Sequence, residues 1–168
     1  MPYRSRSAGA GGPDTEIAMT EATRAFMYGK IHRATVTGAD VDYVGSITVD
    51  PLLLAAAGIY PHTMVDVVNV TSGERIQTYA IEGPSGGGDI CLNGAAAHKF
   101  RAGDLAIIMA YEQVPVSRIP GRVSRAVHVD GRNRVVSVAE HATPALDSLG
   151  RNSRLAEKYR SVPEAEKV

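Results

Sequence analysis

Between Ile31 and Val138 the apolar residues come in short runs, each closed by turn-forming residues, and only one run is patterned as a helix. Ile31 to Thr37 ends at Gly38 and Asp40, and Ser46 to Val49 ends at Asp50-Pro51. Met64 to Val70 and Arg75 to Ile81 flank Thr71-Ser72-Gly73-Glu74, which reads as a hairpin loop. Ile90 to Leu92 follows the glycine-rich loop Pro84 to Gly88, expected to be mobile, and Gly94 to Ala97 reads as a tight turn or a single helical turn. Leu105 to Tyr111 follows a turn at Arg101 to Asp104. Val123 to Val129 and Arg134 to Val138 flank Asp130-Gly131-Arg132-Asn133, a good hairpin signal. The helical exception has Asp50 as N-cap, Pro51 at the first helical position and Gly58 as the stop. Many short strands at regular spacing predict a mainly β domain, a small barrel or sandwich with short helices.

A length of 168 residues suits one domain with its own core. Residues 1–22, with Gly9, Gly11, Gly12 and Pro13, are expected to be a disordered extension. Met19 opens a more ordinary sequence, so the start codon is either Met1 or Met19. Residues 23–140 form the expected folded domain. Residues 141–168 are a polar tail holding Pro144 and Pro163, with a short helix expected over 152–160.

The net charge of zero divides into −4 over residues 1–114 (8 basic, 12 acidic) and +4 over residues 115–168 (10 basic, 6 acidic). Neither part has the strongly basic face of a nucleic-acid binder. The lone Cys91 excludes an internal disulfide and a multi-thiolate zinc site, and it reads as a buried structural thiol. The five histidines show no metal-ligand spacing, so no metal is expected. The first 30 residues lack an apolar signal region, and the longest apolar run, Leu52 to Tyr60, is less than half a membrane span. The expectation is a soluble cytoplasmic protein that uses neither membrane nor nucleic acid. Pro84-Ser85-Gly86-Gly87-Gly88 lacks the Lys-Ser/Thr of a phosphate loop, and no Gly-x-Ser-x-Gly elbow is present.

Four blocks remain: Gly29-Lys30-Ile31-His32-Arg33; Ala39-Asp40-x-x-Tyr43-x-Gly45-Ser46; Arg75-x-x-Thr78-Tyr79-Ala80-Ile81; and Asn93-Gly94-Ala95-Ala96-Ala97-His98. In this order and spacing, with the Gly103-Asp104-Leu105 turn, they resemble the bacterial aspartate 1-decarboxylases over roughly residues 24–138. The resemblance implies a six-stranded double-psi β-barrel. It also implies autocatalytic cleavage of a zymogen between Gly45 and Ser46. A Ser46 hydroxyl next to a glycine carbonyl can add to it and convert the amide to an ester. Elimination then leaves dehydroalanine, and hydrolysis leaves a pyruvoyl group at position 46. Gly45, lacking a Cβ, admits the attack, and Thr78 is expected to steady the oxyanion on the Gly45 carbonyl.

By the same resemblance the pyruvoyl group is the only cofactor and forms a Schiff base with the amine of L-aspartate. Carbon dioxide leaves and β-alanine is produced for pantothenate and coenzyme A synthesis. Lys30 and Arg75 are the expected carboxylate cations. Tyr79 is the expected proton donor. His32, Tyr43, Asn93, Gly94, Ala95 and Ala96 are expected to line the substrate site. The family implies a homotetramer of processed subunits with sites at subunit interfaces, and leaves open a maturation factor. Two alternatives stay open on the residues: a paralogue that decarboxylates another acidic amino acid in a secondary biosynthetic pathway, and a non-enzymatic double-psi barrel used only for binding.

Overall fold

The computed structural model describes residues 21–149. Of the expected extension over 1–22, residues 1–20 lie outside the described residues, as does the expected tail helix over 152–160. Nine strands form among them: β1 (Thr23–Thr35), β2 (Gly38–Asp40), β3 (Ser46–Val49), β4 (Met64–Asn69), β5 (Arg75–Glu82), β6 (Ile90–Asn93), β7 (Leu105–Pro115), β8 (Val123–Val129) and β9 (Val135–Ala142). They hydrogen-bond in the order β2-β6-β3-β5-β4-β7-β1-β8-β9. The mainly β expectation holds, with three strands more than the six of the expected barrel. The pairs β1–β8, β2–β6 and β3–β5 run parallel and the others antiparallel. Beyond β1 the chain turns back onto β6: the Thr37 amide donates to the Ile90 carbonyl at 2.8 Å, and the Ile90 amide donates to Thr37 Oγ1 at 3.0 Å. Strands from distant places in the order therefore meet.

Alternation sorts the central strands, β4 and β7 most clearly, into a buried and an open face. Ile31, Ile47, Val67, Leu92, Ile108 and Val127 are all fully buried in one core, and each such side chain contributes about 1.5–3 kcal/mol on burial. Helix α1 (Pro51–Ala57) closes over that core with Leu53, Leu54 and Ala57. Its ends are as the sequence predicts. The Asp50 carboxylate accepts from the Leu52 amide at 2.9 Å, and Gly58 ends the helix in the left-handed region at φ 70°. A Cβ on Gly29 would stand 2.4 Å from the Ala57 carbonyl oxygen, so only glycine lets α1 sit this close to β1.

Several boundaries differ from the sequence reading. Strand β1 begins at Thr23 rather than Ile31, and β7 runs to Pro115 rather than Tyr111. The two extensions pair with each other, Thr23 opposite Pro115 and Met27 opposite Tyr111, so neither exists without its partner. Strand β9 continues to Ala142, two residues past the expected domain end. The Gly94 segment is a 3₁₀ turn reaching Lys99. The loop before β6 is pinned at Gly88, whose amide donates to Asp50 Oδ2 at 2.8 Å and whose carbonyl accepts from Asn133 Nδ2 at 2.7 Å. No helix among the described residues is long and apolar enough to cross a membrane.

Candidate active site

Ser46 opens β3 between β5 and β6 and is only 1% exposed, while Tyr43, Val44 and Gly45 just before it are exposed. The Gly45–Ser46 peptide thus marks the step from loop to buried strand. Ser46 pairs with Asn93 across the antiparallel β3–β6 ladder. The Asn93 side-chain amide donates to Ser46 Oγ at 2.8 Å and to Thr48 Oγ1 at 2.9 Å. The Ser46 hydroxyl donates in turn to the Val44 carbonyl at 3.4 Å. Both functions of the hydroxyl are engaged, and its oxygen is held against the backbone of the preceding residues.

Gly94 supplies the other wall. At φ 61° it lies in the left-handed region, and an added Cβ would stand 2.8 Å from Gly45 Cα and 2.9 Å from Gly45 N. The backbone of residues 43–45 rests directly on Gly94. Ala97 is buried beyond it, Ala96 is half-buried and Ala95 is exposed.

The parallel β3–β5 register pairs Ile47 with Ala80. Before this pair, the two strands lead back to Ser46 and Tyr79, the residues that immediately precede Ile47 and Ala80. Ser46 and Tyr79 share the face opposite to the core pair Ile47 and Ala80. Tyr79 is 38% exposed, and its nearest ring is His62, with centroids 6.4 Å apart.

Arg75 lies on the same face of β5 as Tyr79, four residues earlier, and pairs closely with Asp66 of β4. Asp66 also accepts from Gln77 Nε2 at 3.3 Å. The hydrogen bond and charge of Asp66, with Tyr111 nearby, raise the Arg75 guanidinium above its ordinary value. Lys30 and His32 are elsewhere. They stand on β1, four strand steps from β3 by way of β7, β4 and β5, or about 19 Å measured along the sheet. His32 faces His128 of β8 edge to face, with ring centroids 5.3 Å apart. Its Nδ1 is buried without a hydrogen-bond partner. Burial, then the charges of Lys30, His128 and Arg33, push the His32 imidazole below its ordinary range.

Of the residues named from the sequence, Tyr43, Gly45, Ser46, Thr78, Tyr79, Asn93 and Gly94 thus gather around the β3 entrance. Ala95 and Ala96 continue from it, Arg75 lies on the adjoining face, and Lys30 and His32 lie apart. The sequence reading missed Thr48, which shares the Asn93 amide, and Asp66, Tyr111 and His128. Counting outward from the Thr71–Glu74 turn would have put Asp66 on Arg75's face. Nothing local marks the other three. Among the described residues no cluster of three or more His, Cys, Asp or Glu side chains is placed to hold a metal ion.

This arrangement is a mainly β domain with a buried serine hydroxyl locked beside an exposed glycine junction. The family model for aspartate decarboxylase matches residues 22–136. An aspartate 1-decarboxylase of Neisseria meningitidis is 50% identical over 121 residues, covering 72% of this chain and 95% of the relative. Aspartate 1-decarboxylase 2 of Gloeobacter violaceus is 53% identical over 122 residues, covering 71% and 98%. The aspartate 1-decarboxylase of Rhodopirellula baltica is 45% identical over 144 residues, covering 85% and 92%. The chain belongs to the aspartate decarboxylase family.

Proposed function

We propose that this chain is the precursor of a pyruvoyl-dependent aspartate decarboxylase that cuts itself between Gly45 and Ser46. The observation that carries this reading is the environment of the Ser46 oxygen, buried and held between the Asn93 amide and the Val44 carbonyl. A hydroxyl is a weak nucleophile, so fixed geometry must supply most of the acceleration. Ser46 Oγ adds to the Gly45 carbonyl carbon, and the Gly45–Ser46 C–N bond breaks to leave an ester. The same oxygen later departs with the Gly45 carboxylate. The Asn93 amide already donates to that oxygen and stabilises the charge it gains on leaving. Thr78 of β5 is the group we read as steadying the oxyanion of the first step.

The site fits a pyruvoyl group made from Ser46, because the serine is buried with polar partners already in place and Gly94 leaves its neighbour's backbone undisturbed. When formed, that group supplies the electron sink for loss of carbon dioxide from the amino acid. Arg75 presents N–H donors for a substrate carboxylate. Tyr79 holds a phenol proton on the face it shares with position 46, where the reacting carbon requires one. Tyr43 and the segment Gly94–Ala96 border the same entrance.

Lys30 and His32 belong to this site through a neighbouring copy. The resemblance that names them as site residues also implies a homotetramer with sites between processed subunits, and we read both as contributed across that interface. A double-psi barrel accounts for the three parallel strand pairs β1–β8, β2–β6 and β3–β5 and for the return of the chain from β1 onto β6. A cytoplasmic setting and the supply of β-alanine to pantothenate and coenzyme A synthesis complete the proposal.

Intact-mass measurement after incubation tests it. The expected products are fragments of 45 and 123 residues, the larger lacking its amino-terminal amine, and Ser46→Ala stays one chain. Release of carbon dioxide from L-aspartate is expected to exceed that from L-glutamate. A single uncleaved, inactive species would refute the reading, and a preference for another acidic amino acid would correct the substrate.

A further inference from the structure

The most acidic contact on the open face of the sheet is one that the chemistry above does not use. Asp66 stands at the centre of β4, its side chain only 13% exposed, while its partner Arg75 is 58% exposed. The strand registers explain how it is fixed. Asp66 lies directly opposite Gln77 of β5 on one side and Met109 of β7 on the other. Its two oxygens take different donors from β5: Oδ2 accepts from Arg75 Nη2, and Oδ1 accepts from Gln77 Nε2. Tyr111 of β7 stands on the same cavity wall as the guanidinium. Met64, Asp66, Arg75, Gln77 and Tyr111 together line a cavity of about 540 Å³.

A guanidinium has five donors, and one nitrogen serves Asp66. The side chain is 58% exposed and lines the cavity, so donors remain for a ligand. Arginine on a strand surface otherwise loses considerable side-chain freedom when it grips a ligand. We propose that Asp66 is a positioning residue: its carboxylate, itself anchored by Gln77, holds Arg75 so that the remaining N–H donors form a ready fork for a substrate carboxylate. The inference rests on the decarboxylase reading and adds to it how the carboxylate cation is held.

Positioning and simple charge attraction make opposite predictions. Asp66 offsets the positive charge of Arg75, so its neutralisation in Asp66→Asn strengthens long-range attraction for a dicarboxylate while releasing the guanidinium. If positioning governs, KM for L-aspartate rises roughly tenfold, the scale of one charge-assisted hydrogen bond. kcat per cleaved site stays within about threefold, and cleavage at Gly45–Ser46 reaches the same extent by intact mass.

An Asp66→Asn protein with KM unchanged or lowered overturns the proposal, as does a loss of kcat and cleavage with KM intact, which a merely structural residue would give. Should Asp66→Asn not accumulate as folded protein, Asp66→Glu carries the test, and an unchanged KM overturns it. Wild-type protein run in parallel separates the two levels. If wild type neither cleaves nor releases carbon dioxide, the decarboxylase reading fails and this inference with it. If wild type is active and the variants keep its KM, this inference alone fails.

Discussion

Substituting Gly94 by alanine should block self-cleavage far more than it harms the fold. A methyl group at this position would stand 2.8 Å from Gly45 Cα, 2.9 Å from Gly45 N and 3.0 Å from the Tyr43 carbonyl oxygen. Carbon atoms in ordinary contact lie about 3.5–4.0 Å apart, so the backbone of residues 43–45 must retreat by roughly 0.7 Å or more. All three obstacles are backbone atoms, so no side-chain rotation relieves them. The scissile junction is displaced while Asn93 stays in its ladder, and the 2.8 Å Asn93–Ser46 hydrogen bond lengthens. Displacement of reacting groups on the ångström scale slows a reaction by about a hundredfold.

The stability cost has two sources. The left-handed backbone at φ 61° costs an alanine about 1–2 kcal/mol, and the steric overlap adds about 1–3 kcal/mol. Gly121→Ala serves as the control. Its φ is 81°, but nothing lies within 4 Å of the added Cβ, so it should lose only the backbone share and cleave normally. The assay is a time course of intact mass on freshly purified protein, with Tm measured on the same samples. Cleavage of Gly94→Ala at the wild-type rate, or equal slowing in Gly121→Ala, would refute the claim that contact between Gly94 and Gly45 positions the junction.

Further predictions concern groups outside the reacting centre. Burial pushes the Asp50 carboxyl up, but backbone hydrogen bonds from Leu52, Gly88 and Gly86 outweigh it and hold the group below its ordinary value. A carboxylate depressed in the folded state contributes stability that is present above its unfolded value near 3.9 and lost as pH falls through the folded one. Asp50→Ala should therefore cost about 1–3 kcal/mol at pH 7, with the difference from wild type shrinking in acid titrations of Tm. His32 runs the other way in charge but the same way in pH. Its folded value lies below the unfolded value near 6.5, so the folded state resists protonation and stability falls as pH drops below about 6.5. His32→Gln should flatten that part of the Tm profile, and an unchanged slope between pH 5 and 7 would contradict the assignment. Burial, then the charges of Asp40 and Asp89, raise the Cys91 thiol. Alkylation by iodoacetamide at pH 7.5 should be at least tenfold slower in the folded chain than after denaturation.

Features whose cause lies within a few residues were legible from the sequence. Asp50, Pro51 and Gly58 set both ends of α1 because capping and left-handed termination are local interactions. The β4–β5 hairpin followed from its turn residues, and the Gly45–Ser46 junction with Thr78, Tyr79 and Asn93 was legible as spaced blocks. The first half of β1 was not, because Thr23 to Tyr28 become a strand only through pairing with β7, some eighty residues away in the chain. Asp66 lay within the Met64 to Val70 strand without any local mark. Its importance comes from the register that puts it beside Arg75 and Gln77.

The sequence by itself determined the alternation that divides central strands such as β4 and β7 into a buried and an open side, the caps of the helix, and the glycine–serine junction at the head of a strand. These are properties of neighbouring residues and need no partner. Only the tertiary structure decided which strands became neighbours, and with them the face on which each functional group stands. Registers across β3, β5 and β6 bring Asn93 and Tyr79 to Ser46, and registers across β4, β5 and β7 bring Asp66 to Arg75. The same registers hold Lys30 and His32 four strands away. Pairing between distant segments is chosen by burial of the whole core, which no single window of the chain contains.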